Sequence, residues 1–149
     1  MKAVVQRVLS SSVKIDGKTA GKIDKGLNIL FGAAKGDTLE DADYLCSKII
    51  NLRIFEDENL RMNKSLLDTG GSLLIISQFT LLADCRHGRR PNFMDALSGE
   101  EAEKLYNYFV SICKEKVKNV QTGIFGADMI VSIENDGPVT IILDSRDRK

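Results

Sequence analysis

Four consecutive bulky aliphatic residues, Leu73-Leu74-Ile75-Ile76, constrain this chain more than any other feature. Bounded upstream by Gly70-Gly71, they read as a strand buried on both faces, because side chains alternate across a strand. Any fold that contains it must supply apolar cover on each side of a sheet. At 149 residues, 43% of them hydrophobic, one domain can do so without metals or crosslinks. The segment then changes character, with Ser77-Gln78-Phe79-Thr80 following at once. If the strand runs on to Asp84, Ser77 and Phe79 share one face and Gln78 and Thr80 the other. Polar groups at the end of a buried strand must find partners, reach solvent or meet a ligand. Taken alone, an ordinary polar strand end is the simpler reading.

The remaining chain reads as an α+β domain spanning residues 1–149, a compact β-barrel-like, antiparallel-rich sheet with two helices packed on it. Lys2–Leu9, Val13–Asp16 and Thr19–Ile23 have strand patterns, with a hairpin turn at Gly17-Lys18 and another turn at Asp24–Gly26 before a buried strand Leu27–Ala34. The chain thus opens as an antiparallel meander. Asp37 with Glu40 has capping-box spacing, and Leu39, Ala42, Leu45, Cys46 and Ile49 follow at helical spacing, leaving Asp41 and Asp43 for solvent. Arg53–Phe55 is a short strand candidate. Ser98 caps a second helix whose stripe includes Ala102, Leu105, Tyr106, Phe109 and Cys113. Val120–Phe125, Met129–Glu134 and Thr140–Leu143 are three closing strands, the last two separated by a turn at Asn135–Thr140.

Several function classes are disfavoured. Three cysteines without a CxxC pair give neither a disulfide framework nor a zinc site, and no metal or cofactor is expected. No apolar run approaches membrane-spanning length and no signal-peptide pattern opens the chain, so a cytoplasmic protein without a membrane partner is expected. Formal net charge is zero, so a nucleic-acid partner needs a local basic patch. Arg86, Arg89 and Arg90 form one, suited to phosphate, although a solvated loop would look the same. Candidates for side-chain catalysis are few. His87, the only histidine, reads as an exposed loop residue, Cys85 has only Arg86 to depress its pKa, and Thr80 lacks an evident base other than Asp84. Gly137-Pro138 is the remaining feature. Glycine lets a backbone be approached closely and proline makes it rigid, although a plain turn would use the same pair.

Ser-Gln-Phe-Thr-Leu at 77–81 with Gly-Pro-Val-Thr at 137–140 resembles the motif pair of the D-aminoacyl-tRNA deacylases. The similarity extends to Gln6-Arg7-Val8, Arg53–Phe55, Met62-Asn63, Gly70-Gly71-Ser72, Gly88–Pro91 with Phe93, Gln121–Gly123 and Ala127–Met129. The resemblance implies a hydrolase that cleaves the ester of D-aminoacyl-tRNA in translation quality control (chiral proofreading), with glycyl-tRNA as a possible second substrate. It also implies a homodimer with two active sites at the interface. The Gly137–Pro138 bond would be cis and would enter the partner's site, steadied by Arg7, to reject L-substrates with backbone groups. Ser77, Gln78, Phe79 and Thr80 would line the aminoacyl-adenosine pocket together with Phe125 and Met129. Water would attack, aided by a hydroxyl of the RNA, which suits a chain so poor in catalytic side chains. A nucleic-acid-binding module without hydrolysis, a small-molecule esterase using Thr80 or Ser77, and a family variant of altered chiral selectivity are the alternatives.

Overall fold

The computed structural model describes residues 1–148. Its elements are β1 (Lys2–Ile15), β2 (Lys18–Ile23), β3 (Gly26–Gly32), α1 (Leu39–Asn51), β4 (Phe55–Glu56), β5 (Met62–Lys64), α2 (Leu66–Thr69), β6 (Ser72–Ser77), α3 (Gly99–Lys116), β7 (Val120–Thr122) and β8 (Ile130–Asp144). Five strands form a sheet in the order β2-β1-β3-β6-β7, and β8 lies on the remaining edge of β1. The pairs β3–β6 and β6–β7 are parallel, whereas β1 is antiparallel to all its neighbours. Strand β2 curls round to meet β7. A Cβ on Gly21 would stand only 2.7 Å from the Thr122 carbonyl oxygen, so the residue without a side chain is what lets the barrel nearly close.

The cover demanded by Leu73–Ile76 is present on both sides. Leu73 and Ile75 join Val5, Ile29 and Phe31 against Leu45 and Ile49 of α1 and Phe109 of α3. Leu74 and Ile76 point the other way and meet Val8, Val13 and Ile23 inside the barrel. Phe31 stacks on Phe109 with ring centroids 4.6 Å apart, fixing α3 on the sheet. Where α1 and α3 touch, the buried thiol of Cys113 lies 3.5 Å from that of Cys46. All three cysteines are free.

Several local expectations need correction. The opening is not a meander, because β3 pairs with β1 rather than with β2. The first hairpin turns at Asp16-Gly17, one residue early, with positive φ at both positions. The strand candidates at 53–55 and 120–125 reduce to Phe55–Glu56 and Val120–Thr122. A third, short helix, α2, is capped by Ser65 and Asp68. The α1 cap is Thr38 with Asp41 in the box, not Asp37 with Glu40. Asp41 is accordingly buried rather than solvated. Burial pushes its carboxyl up, but hydrogen bonds from Thr38 and Ser145 and the Arg148 charge more than offset this and hold it below the usual range. Asp37 is freed for another task. It accepts from the Ala34 amide and pairs with the buried Met1 ammonium at 2.6 Å, clamping the segment after β3.

Because Ile75 is wholly enclosed between the sheet and both long helices, Ile75→Ala should lower unfolding free energy by about 2–5 kcal/mol. Urea denaturation measures this; a loss under about 1 kcal/mol would mean the layers are not packed as described.

Candidate active site

Strands β3 and β6 run parallel, so their carboxyl ends open on the same side, and a cavity of about 630 Å³ lies there. Ser77 ends β6 opposite Phe31, and the Gln78 amide donates to the Phe31 carbonyl at 2.7 Å. The chain then leaves the sheet. Residues Phe79–Leu82 form a 3₁₀ turn, so the strand does not continue to Asp84 and the expected alternation of Ser77–Thr80 does not occur. Such a turn presents opening amides that have no acceptor within it, polar equipment that the side chains do not supply.

Ser77, Gln78, Phe79, Phe125 and Met129 all line the cavity. Thr80 does not. It is exposed, and its hydroxyl accepts from the Gln78 side-chain amide. The far wall comes from residues that the sequence reading did not assign to the site, among them Lys35, Phe93, Ala102, Tyr106 and Asp128. Ala102 and Tyr106 belong to the apolar stripe of α3, which reads as core because most of it is core. The Tyr106 hydroxyl donates to the Ile75 carbonyl at 2.8 Å, and burial pushes its pKa up to about 12, so it stays protonated. Lys35 and Asp128 are the other ionisable side chains of the lining. No histidine or cysteine is among them.

The basic loop hangs beside this opening. Its base is clamped by paired amide–carbonyl bonds between Asp84 and Asn92, 2.7 and 2.9 Å long. Phe93 then packs edge-on against Phe79 at 5.1 Å. Arg86 grips Asp84 with two side-chain bonds of 2.8 and 2.7 Å and holds the carboxyl down at about 2. Asp84 is therefore a poor base, and much of the Arg86 charge is offset. Arg89 and Arg90 are exposed and have no ion-pair partner among the described residues. Cys85 and His87 are exposed in the same loop and outside the cavity lining.

Gly137 and Pro138 lie elsewhere. Asn135–Thr140 is not a hairpin turn between two strands, because the residues on both sides pair with β1 in one antiparallel ladder. Gln6 faces Thr140 and Val8 faces Asn135, so Asp136–Val139 bulge out opposite Arg7 alone. The Gly137–Pro138 bond is cis, and both residues are exposed. Arg7 is buried beneath them. Its Nη1 donates to the Ile54 carbonyl at 2.7 Å, while Nε meets Asp136 Oδ2 at 3.1 Å as an ion pair without hydrogen-bond alignment. Gly137 has φ +117°, and a Cβ there would stand 3.0 Å from Arg7 Nη2. The bulge sits at the wrong end of the sheet to serve its own cavity. Arg7 pairs with Leu27, whereas the cavity begins at Phe31 and Gly32, roughly 13–17 Å further along β3.

A sequence model of the D-Tyr-tRNA(Tyr) deacylase family matches residues 4–144. The chain belongs to this family. Curated relatives agree with that membership over nearly the whole length. A D-aminoacyl-tRNA deacylase of Clostridium botulinum is 67% identical over 146 residues, and one of Clostridium acetobutylicum is 62% identical, each alignment covering 98% of both chains. Among solved structures, the c-Myc DNA Unwinding Element Binding Protein superposes with a TM-score of 0.92 at 41% identity, covering 97% of this chain and 98% of that one. A probable eukaryotic D-amino acid tRNA deacylase superposes at 0.80 and 16% identity over 95% and 97% of the two chains, a likeness of fold. Like its family members, this deacylase-family chain is a mixed α/β single domain with a nearly closed, barrel-like sheet. None of its helices, among the described residues, is long and apolar enough to cross a membrane.

The cavity wall carries neither histidine nor cysteine, and Thr80 lies outside it. A double replacement Cys85→Ser with His87→Asn, and separately Thr80→Ala, should each keep substantial activity, and no acyl-enzyme should form at Thr80. A drop of about 100-fold in either, the usual contribution of a general base, would place side-chain chemistry back in the site.

Proposed function

We propose that the protein hydrolyses the ester linking a D-amino acid to the terminal ribose of tRNA, releasing free D-amino acid and tRNA. One observation carries the reading furthest. The cavity at the ends of β3 and β6 is lined by Ser77, Gln78 and Phe79, while the rigid Gly137–Pro138 bulge projects from the opposite end of the sheet. The two halves of such a site meet only if a second copy supplies the bulge. Exposed aliphatics on β8 favour this homodimer. Ile130 is 71% and Ile142 74% exposed, flanking the bulge on a strand with one unpaired edge.

In this arrangement the aminoacyl-adenosine end of the tRNA enters the cavity. Backbone groups of residues 77–80 orient the ester, and water attacks its carbonyl with help from the neighbouring ribose hydroxyl. The partner's bulge faces the α-carbon. A D- and an L-amino acid differ only in the direction taken by each substituent, so a fixed backbone clashes with one and admits the other. Glycine has no side chain to exclude, which makes glycyl-tRNA a second substrate. Arg89 and Arg90 hold phosphates, with Arg86 contributing less because Asp84 neutralises it. Such a substrate places the enzyme in the cytoplasm with the translation machinery. A second reading, nucleic-acid binding without turnover, draws support from the structural neighbour that carries a DNA-binding name.

Incubation with D- and L-tyrosyl-tRNA separates the readings. Turnover of the D-form with sparing of the L-form is expected; equal rates, or binding without hydrolysis, would overturn the proposal. The division of the site is tested by a hybrid dimer of one Gly137→Val chain and one chain made inactive within its 77–80 pocket. If bulges act across the interface, one site collects both defects and the other none, so about half the wild-type activity returns. A wholly inactive hybrid, or an active wild-type monomer, would sink the cross-subunit role.

A further inference from the structure

The bulge that carries Gly137 and Pro138 interrupts a ladder, and an interruption leaves backbone groups without their usual partners. Two carbonyls are affected, that of Arg7 on β1 and that of Val139 where the bulge rejoins β8. A single side chain takes up both. The Asn135 carboxamide nitrogen donates to the Arg7 carbonyl at 2.9 Å and to the Val139 carbonyl at 3.0 Å. Its orientation follows from its neighbours, because two carbonyl acceptors need the nitrogen facing them. The opposite end of the amide is engaged as well. Asn135 Oδ1 accepts from the Thr140 hydroxyl at 3.2 Å and, at 3.5 Å, from the Gln6 side-chain amide.

We propose that Asn135 is a positioning residue for stereochemical selection, locking the neck of the bulge so that the Gly137–Pro138 backbone is presented in one fixed place. Asn135 stands where the bulge leaves the ladder and Val139 and Thr140 where it returns, so one amide ties the two ends together and both to β1. The Arg7 side chain braces the excursion from beneath through Asp136, and Asn135 seizes the backbone of that same Arg7. Asp136–Pro138 is thereby reduced to a short closed loop on a rigid base. Without the tie, the loop keeps its proline but loses the fixed separation of its ends, and a displacement of about 1 Å can cost 100-fold in a reaction that depends on placement.

The inference rests on the reading that this bulge selects the D-isomer, and the test separates the two. Asn135→Asp is nearly isosteric but turns a double donor toward two carbonyls into an acceptor, and Asn135→Ser is a milder loss. Both are compared with wild type and Gly137→Val for kcat and KM on D-tyrosyl-tRNA, for the ratio of kcat/KM on D- and L-tyrosyl-tRNA, and for thermal unfolding. The ratio is read on one sample and does not depend on how much of it is folded. Asn135→Asp should lower kcat on the D-form, or the D-to-L ratio, by about tenfold or more while KM and unfolding temperature change little, with Asn135→Ser intermediate. An unchanged ratio with activity that only tracks stability overturns the proposal. So does unfolding of both variants, which would make Asn135 a structural residue. If Gly137→Val also keeps the wild-type ratio and rate, the underlying reading of the bulge fails; if Gly137→Val alone alters them, only the role of Asn135 fails.

Discussion

Hydrogen bonding along both edges of β1 sets the places of the cavity and of the Gly137–Pro138 bulge. On one edge, residues 2–8 pair with β3 and residues 11–15 with β2; on the other, β8 runs alongside for nearly the whole length. The β3 ladder aligns β6, whose end becomes the cavity wall. The β8 ladder fixes which residue of β1 lies under the bulge, and that residue is Arg7. A one-residue slip of the β3 ladder would invert the faces of a strand buried on both sides, so the apolar pattern of the core also keeps the cavity end of the sheet in register.

The parts of this architecture written in local composition were readable from the chain. Leu73–Ile76 required cover on two faces, and the helices and barrel interior supply it. The apolar stripes of α1 and α3 located both long helices. What local composition does not encode is the partner of a strand. Asn135–Thr140 has turn chemistry that suits a hairpin and a bulge alike, and only the pairing of both flanks with β1 distinguishes them. The same limit explains the misplaced meander. Ser77–Thr80 failed for a different reason, since four residues are too few for alternation to be told from a tight helical turn. At the α1 cap, three acidic residues, Asp37, Glu40 and Asp41, stood near the helix start, and a distant group, the Met1 ammonium, claimed the first of them.

Legibility of the site divides along the same line. Ser77, Gln78, Phe79, Phe125 and Met129, marked through the family motifs, converge on the cavity. Tyr106 and Ala102 were hidden because a helix stripe can wall a cavity at one end and fill a core at the other. Lys35 gave no signal, being one exposed lysine among many charged residues, and its place depends on the clamp that Asp37 makes after β3. The scarcity of titratable side chains on the wall is in keeping with the proposed use of backbone groups and substrate hydroxyls, for which a rigid frame would matter more than a tuned pKa.

On the proposed division of the site between two copies, the 13–17 Å that separate the bulge from the cavity along one chain would also bear on how the enzyme responds to its own abundance. A site divided between two molecules exists only as often as they meet. Below the dissociation constant of the pair, active sites become scarcer as the square of chain concentration, and turnover per molecule falls on dilution. Under that division, modest changes in expression would be amplified into larger changes in capacity, a mass-action control written into strand register.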